Sequence, residues 1–436
     1  MSDLFAARSQ MAVSLAFHIV FAAVGIGLPA LVFAAEALWL RTRDPVYLDL
    51  TRAWAKGLAV FFAVGAVSGT VLSFELGLLW PGFMAYSGSL VGLPFSLEGF
   101  AFFTEAIFLG IYLYGWKRVP PRAHLAAGGV IAVSGAASAL FVLSVNGWMN
   151  APAGFVPGPD GPTEVDPLRA MANAFWIVNT VHMLLAAYVA TAFGAATVHA
   201  WKLSRDPASV FHRRALVLAL AVGGVAALLQ PVSGDFVARA VARQQPAKLA
   251  AMEGHFETSS CAPLRLGGWP DEASATTRFA LEIPCGLSLL VARDPSAEVA
   301  GLDRIPRDEW PPVAPVHVAF QVMVAIGVFL LALSAWAALS AWRGRPPWTR
   351  PWMLRLLVAS GPLAFLAIEA GWTVTEVGRQ PWIVYGVLRT SDAVTPMPGL
   401  VVPFTVFTLL YLFLAGVVGV VLVRLARHEG EGEAAP

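Results

Sequence analysis

The sequence contains little charge. Only 13% of its 436 residues are Asp, Glu, Lys or Arg, about half the share usual in soluble domains. The 29 basic and 28 acidic residues nearly cancel, so no basic excess is available to neutralise a nucleic-acid backbone. The two cysteines are too few for a disulfide framework or a structural zinc site. These shortages argue against soluble enzymes and nucleic-acid binders.

Apolar residues are abundant instead. They make up 57% of the chain, and the mean hydropathy is +0.67. Nine apolar stretches are long enough to cross roughly 30 Å of hydrocarbon. The stretches are 9–39, 57–78, 95–116, 124–145, 171–201, 215–234, 314–341, 353–376 and 399–423. The fold class predicted is an all-α, polytopic membrane helix bundle with nine transmembrane helices. The N-terminus lacks the cleavage signal of a secretory peptide, so we expect the first stretch to be kept.

Lys and Arg alternate between the connections. Every second connection is basic: 40–56, 117–122, 202–214 and 342–355, together with the C-terminal tail. The other short connections contain few basic residues. The positive-inside rule therefore predicts that the N-terminus lies outside and the C-terminus in the cytoplasm.

Four parts are expected along the chain. Six helices fill 1–234, an outer loop spans 235–313, three helices fill 314–424, and 425–436 form a cytoplasmic tail. Such a long polar loop is usually functional or disordered. Its run QQPAKLAAMEGHFE has a helix-like pattern.

Several ionisable residues fall inside the predicted spans. Each is a functional candidate, because an uncompensated charge within a bilayer is costly. These residues are His18, Glu75, Glu98, Glu105, His182 and Glu369. Glu36 and His199 lie near inner helix ends, where we interpret them as reaching towards the interface.

The chemistry of these residues allows more than one role. Imidazole, thioether and carboxylate groups can all be axial ligands of haem, and a His/Met pair such as His182 and Met323 suits a low-spin haem. A helix histidine can equally be a hydrogen-bonded core residue, and Met323 can be simple packing. Glu98 and Glu105 are seven residues apart and share a helix face, which suits either a proton path or an ion site.

Local sequence motifs help to choose between these roles. They occur in order along the chain: FAVGAVSG (62–69), SLEGFAFFTEAIFLG (96–110), VNGWM (145–149), KLAAMEGHFET (248–258), EAGW (369–372) and EVGRQPW (376–382). Together they resemble subunit I of cytochrome bd-type quinol oxidases. The resemblance covers essentially the whole chain, and GRQPW is its most specific motif.

The resemblance implies a terminal respiratory oxidase that oxidises membrane quinol outside and reduces O₂ to water with cytoplasmic protons. This would generate a proton motive force without pumping. Three haems are implied: a low-spin haem b, a high-spin haem b, and haem d or a third haem b. His18 and Glu369 match the residues of the two high-spin haems, and His182 and Met323 match the axial pair of the low-spin haem.

Other positions also match family motifs. Lys248 and Glu253 match the pair implicated in quinol oxidation, and Glu98 and Glu105 match the carboxylates assigned to haem stabilisation and the proton route. Arg379 and Trp382, in GRQPW, are expected to bind cofactor.

The resemblance also implies a setting and partners. We expect a bacterial cytoplasmic membrane, an oxidase subunit II and a small single-span subunit, and no nucleic acid. The short outer loop is similar to that of the branch that includes cyanide-insensitive oxidases. Gln321 departs from relatives that carry arginine near the low-spin haem, so the potential of that haem is expected to differ.

Two hypotheses remain open. The alternative function is a haem-free secondary transporter with intramembrane Glu and His ion sites. The second hypothesis is that Cys261 and Cys285, both in the outer loop, form a disulfide on an oxidising face.

Overall fold

The computed structural model describes residues 1–158 and 161–428. The last eight residues of the predicted tail lie outside this described part. Its α-helices are α1 Asp3–Thr42, α2 Pro45–Leu79, α3 Pro81–Tyr114, α4 Pro121–Asn150, α5 Pro167–Met171, α6 Trp176–Arg205, α7 Val210–Gln244, α8 Pro246–Glu253, α9 Gly286–Ala292, α10 Val313–Trp342, α11 Pro351–Val377, α12 Thr390–Ala393 and α13 Val401–His428.

Among the described residues, nine helices are long and apolar enough to cross a membrane. They are α1, α2, α3, α4, α6, α7, α10, α11 and α13. The predicted all-α bundle with nine transmembrane helices is therefore confirmed.

Several helix starts follow from local sequence. Pro45, Pro81, Pro121 and Pro351 each begin a long helix, where proline lacks only an N–H that would have no helical partner. The Asp44 carboxylate also accepts a hydrogen bond from Val46 N at 3.0 Å, which satisfies one of the free N–H groups at the start of α2.

Some predicted bounds were wrong. α3 begins at Pro81 rather than near 95, and α7 continues to Gln244 rather than ending at 234. Hydropathy detects only the portion that suits hydrocarbon, whereas helical hydrogen bonding continues through polar residues until a cap or a proline ends it. The helix-like run in the outer loop forms α8, which ends at Gly254 with φ of 59°.

The long irregular segments gather at one end of the bundle. These segments are 151–158, 161–175, 245–312 and 378–400, and we call this end the loop face. Their strands form two-stranded antiparallel pairs. The pairs are β1 Val156–Gly158 with β2 Gly161–Thr163, β3 Ser259–Ser260 with β8 Glu298–Val299, β4 Leu264–Leu266 with β7 Leu281–Ile283, β5 Trp269–Asp271 with β6 Thr276–Arg278, and β9 Trp382–Val384 with β10 Leu388–Arg389.

α6 lies at the centre of the bundle. It packs against α7, α11, α1 and α4. Small residues on α6, including Ala187, Ala190 and Ala196, are fully buried, which allows close approach of neighbouring helices without lipid between them.

The interfacial interpretation of Glu36 and His199 was wrong. Glu36 is completely buried, where it accepts hydrogen bonds from Tyr112 Oη at 2.6 Å and pairs with His124 Nδ1 at 2.8 Å. His199 is also buried, and its Nε2 accepts a bond from Trp54 Nε1 at 3.1 Å. Depth along a helix does not reveal which side faces the neighbouring helices, and both residues face inwards.

The Glu36–His124 pair gives a stability prediction. His124→Leu should lower the free energy of unfolding by about 3–5 kcal/mol, because the Glu36 carboxylate would stay buried without its partner. Tyr112→Phe, which removes one neutral donor to the same carboxylate, should have a smaller effect of about 1.5–3 kcal/mol. Reversible unfolding in detergent measures both variants. Equal, negligible losses would show that Glu36 is solvated.

Candidate functional site

His18 is held by a serine on the next helix. Its Nδ1 lies 2.9 Å from Ser68 Oγ, and that hydroxyl donates to Val64 O on its own helix at 2.9 Å. Because the hydroxyl can donate to its own backbone, it can accept Nδ1–H from the ring, and in that tautomer the lone pair lies on Nε2. Gly69 leaves room for the ring, because a Cβ there would lie 3.0 Å from His18 Cε1.

His182 repeats this arrangement on different helices. Its Nδ1 lies 2.9 Å from Ser233 Oγ, which donates to Gln230 O at 2.8 Å. The amide Nε2 of Gln230, a donor, lies 3.2 Å from His182 Nε2. If His182 donates Nδ1–H to Ser233, its lone pair lies on Nε2, the form in which imidazole binds a metal.

Glu369 borders an open groove of about 530 Å³ between α10 and α11. Its Oε1 is buried and has no hydrogen-bond partner in the described part of the chain. Met323 lies on α10 where the two helices approach closely, since a Cβ on Gly371 would be 3.0 Å from the Met323 sulfur. A thioether and an unpartnered carboxyl oxygen thus occur along this pair of helices.

One face of α11 and the turn after it contains several buried polar atoms without partners. Glu369, Trp372, Glu376 and Arg379 follow at intervals of three, four and three residues, so they share that face. Among the described residues, Trp372 Nε1 and two guanidinium nitrogens of Arg379 are buried without acceptors. Buried donors without partners are costly, and anionic groups would satisfy them. Haem, an apolar ring with two carboxylates and an iron that binds imidazole, thioether or carboxylate, fits these residues.

Glu98 and Glu105 both face α4. Ser138 Oγ donates to Glu98 Oε1 at 3.1 Å. Glu105 is buried beside Gly135, where a Cβ would lie 3.4 Å from its Oε2. The predicted shared face is thus present, and it meets small or hydroxyl side chains of α4.

Lys248 is buried at the loop face, at 3% exposure. Its Nζ donates to Asn150 Oδ1 at 2.6 Å and to Thr375 O at 3.2 Å. Burial, with a smaller contribution from the positive charge of Arg379, holds the pKa of Lys248 well below its ordinary value despite the opposing charge of Glu376. A neutral amine could donate both hydrogen bonds and keep a lone pair for a substrate proton.

A chain of hydrogen bonds continues from Lys248 across the bundle. Asn150 Nδ2 donates to Asn146 O at 2.8 Å, and Asn146 Nδ2 donates to Glu376 Oε1 at 2.6 Å. Arg379 pairs with the other oxygen of Glu376 at 2.6 Å. The chain therefore links Lys248 on α8 to the two ionic groups at the end of α11.

Sequence reasoning assigned no role to Asn146, Asn150 or Glu376. Asn146 and Glu376 lie inside the quoted motifs VNGWM and EVGRQPW, and Asn150 directly follows the first. The motifs could have pointed to these residues. The hydrogen bond between Lys248 and Asn150, however, joins residues 98 positions apart in the sequence.

Glu253 ends α8 and is 1% exposed. Its Oε2 has no hydrogen-bond partner among residues 1–158 and 161–428. Burial raises the pKa of Glu253 to about 8, although the charge of Arg265 acts in the opposite direction. A carboxyl group with a pKa near neutrality can both accept and release protons at ordinary pH.

Trp382 and Gln321, two residues singled out in the sequence, make contacts with other parts of the loop face. Trp382 lies in β9 with its ring beneath the Arg389 guanidinium, 5.2 Å from its carbon. Gln321 connects α10 to the long loop, accepting from Gly267 N and donating to Arg265 O, both at 3.0 Å. Gln321 thus anchors the loop, whatever its effect on a haem potential.

The structure joins Cys261 to Cys285 in a disulfide. Alkylation of the unreduced, denatured protein should label neither cysteine, and alkylation after reduction should label both. Replacing both by serine should destabilise the loop by about 3 kcal/mol, the chain-entropy value for a loop of 24 residues. Mass spectrometry and limited proteolysis measure the two effects. Labelled thiols in unreduced protein would contradict the disulfide.

Comparison with known proteins identifies close relatives. The family described as cytochrome bd terminal oxidase subunit I matches residues 6–430. The putative cytochrome bd menaquinol oxidase subunit I of Bacillus subtilis (strain 168) is 39% identical over 435 residues, covering 98% of each chain. The cytochrome bd ubiquinol oxidase subunit 1 of the same organism is 31% identical over 450 residues, covering 99% of this chain and 95% of its own.

A solved structure agrees along the whole chain. The bd oxidase from Geobacillus thermodenitrificans superimposes with a TM-score of 0.92 and 40% sequence identity. The match covers 98% of this chain and 99% of that chain. Similarity in sequence and in fold therefore extends over the loop face as well as the helices.

Proposed function

The chain belongs to the cytochrome bd terminal oxidase subunit I family, and from this premise we propose how its residues perform quinol oxidation and oxygen reduction. It is a membrane-spanning subunit of a quinol oxidase, with haem cofactors and a second subunit as partner. Family membership leaves the transporter alternative without support.

Four residues are proposed to hold the iron atoms. His182 and Met323 bind the low-spin haem b, and His18 and Glu369 serve the two high-spin haems, of which the second is haem d or a further haem b. When bound, these haems carry electrons and reduce dioxygen. Ser68 and Ser233 orient the two imidazoles through Nδ1, and Arg379 neutralises a carboxylate of the cofactor.

Lys248 and Glu253 are proposed to act on quinol. Oxidation of quinol releases two protons, so groups with shifted pKa values at the substrate can accept them. Glu253 takes a proton from one quinol hydroxyl, and Lys248 binds the other oxygen through the neutral amine. Asn150, Asn146 and Glu376 position Lys248, and Trp382 closes the loop face near Arg379.

The loop face is proposed to lie outside. The positive-inside rule supports this orientation, because the basic connections 40–56, 117–122, 202–214 and 342–355 lie at the opposite end. Protons from quinol then leave outside, whereas those consumed with oxygen come from the cytoplasm, with Glu105 and Glu98 on the inward-supplied route. Charge separation of this kind generates a proton motive force without a pump.

The proposed setting is a bacterial cytoplasmic membrane, with the parts 1–234, 235–313, 314–424 and 425–436 serving as helices, quinol loop, helices and tail. A small single-span subunit completes the complex. The short loop supports membership of the cyanide-insensitive-like branch.

The observation that carries the haem assignment is the repeated histidine–serine arrangement, which leaves Nε2 of His18 and of His182 as the ligating nitrogen. A reduced-minus-oxidised spectrum of the purified complex, with pyridine haemochrome analysis, tests it. We expect b-type bands, and a chlorin band in the red would add haem d to the set. Well-folded complex without haem, despite ample cofactor supply, would overturn the assignment.

A further inference from the structure

A second buried polar cluster lies between α1, α2 and α13, towards the loop face. Gln10 Nε2 and Ser14 Oγ both donate to Glu75 Oε1 at 2.9 Å. Tyr411 of α13 is buried against the same part of α1, with its ring 4.6 Å from that of Phe17. Gln10, Glu75 and Tyr411 are each 3% exposed, and Ser14 is completely buried.

Three polar atoms of this cluster have no hydrogen-bond partner among the residues that the structure describes. They are Gln10 Oε1, Glu75 Oε2 and Tyr411 Oη, and each is buried from solvent. The amide and carboxyl oxygens require donors, whereas the phenol requires an acceptor for its proton. A water molecule donates two hydrogen bonds and accepts one or two, so it suits a group that needs both donors and an acceptor.

The carboxyl group of Glu75 also lacks a compensating charge. Within the described part of the chain, its hydrogen-bond donors are the neutral side chains of Gln10 and Ser14, and no basic side chain forms an ion pair with it. An isolated carboxylate in a protein interior is unfavourable, and the group normally takes a proton instead. Only one carboxylate is present, which disfavours a metal cation.

The site lies close to His18. Gln10, Ser14 and His18 follow at intervals of four residues, so His18 is one turn beyond the cluster on the same face of α1. Of the titratable side chains on the helices packed around Glu75, Tyr411 of α13 is the one whose charge interaction with Glu75 is resolved, and His18 lies further along α1.

We propose that Gln10, Ser14, Glu75 and Tyr411 form a binding site for one proton and one water molecule, and that the site gains its proton when the haem at His18 is reduced. The second half rests on the proposed function, since it requires haem at His18. An electron arriving in a poorly polarisable interior is stabilised by nearby positive charge. An ionised fraction of Glu75, whose carboxyl is hydrogen-bonded to Ser14 one helical turn from His18, can be neutralised by that proton uptake, and the proposed water connects its Oε2 to Gln10 and Tyr411.

Infrared spectroscopy of the oxidase complex tests both halves. A static spectrum in H₂O and D₂O should show the C=O band of a buried protonated carboxyl that is absent in Glu75→Gln. The reduced-minus-oxidised spectrum should show this band gaining intensity on reduction, and the pH dependence of the midpoint potential of that haem should weaken in Glu75→Gln. Ser73→Ala, which removes an exposed hydroxyl of α2 bonded to its own backbone, is the control and should resemble wild type.

Tyr411→Phe keeps the test usable if Glu75→Gln folds poorly. This variant should shift the carboxyl band without abolishing it, because the water loses the hydrogen bond donated by the Tyr411 hydroxyl and Glu75 is still present. A static band that persists in Glu75→Gln, or a band in wild type that changes with sodium concentration, would overturn the site. A complex without haem would defeat the proposed function, yet the static band would still test the site. Haem present with an unaltered band on reduction would overturn only the coupling.

Discussion

His182→Ala should abolish the low-spin haem signal in the reduced-minus-oxidised spectrum and abolish quinol-driven oxygen consumption. The imidazole is one of two proposed axial ligands, and the other, Met323, is a weak donor that cannot retain the haem alone. We expect the variant to insert and fold, because the side-chain hydrogen bonds of His182 in the described part of the chain join it to Gln230 and Ser233 of α7. Haem content and spectrum of the purified complex give the measurement.

A graded set of variants separates ligation from packing. Ser233→Ala leaves the imidazole present but removes the acceptor for Nδ1–H, so we expect haem binding weaker by about 10–100-fold. Ser233→Thr keeps a hydroxyl and should restore binding. Met323→Leu preserves volume and should also remove the low-spin signal. An unchanged spectrum in His182→Ala would refute the assignment.

The ionisable residues inside the spans could be found from the sequence, because charge in a bilayer requires compensation. That reasoning selected His18, Glu75, Glu105, His182 and Glu369. It failed for Glu36, since the position of a residue along a helix leaves its orientation around the axis undetermined. The facing partners Tyr112 and His124 lie 76 and 88 residues away.

The loop face was less predictable than the bundle. The period of apolar residues identifies a helix, but a short irregular segment is held by single contacts between distant parts of the chain. Gln321, for instance, binds backbone groups more than 50 residues away. Lys248 and Glu253 of the motif KLAAME both lie on α8, whereas their burial depends on the helices packed around α8, chiefly α10 and α7.

The pH dependence of quinol oxidation follows from the burial of Glu253. Burial raises its pKa to about 8, so the deprotonated form that can accept a quinol proton is the minor form at neutral pH. Between about pH 6 and 8, kcat/KM should therefore rise with pH, by up to tenfold per unit, and it should level off above about 8. The sign is that of a base: activity increases as the carboxyl loses its proton.

Glu253→Gln removes the base while keeping the shape of the side chain. We expect kcat/KM for quinol to fall by about 10²–10⁴-fold, with loss of the rising limb near pH 8. Haem spectra should stay normal, and an artificial donor that reduces haem directly should still support oxygen consumption. Glu257→Gln, four residues further on and exposed, is the matched control and should retain both rate and pH profile. If the activity of Glu253→Gln still rises with pH, the proton acceptor is another group. Lys248, whose pKa is lowered, would then be replaced next, as Lys248→Met.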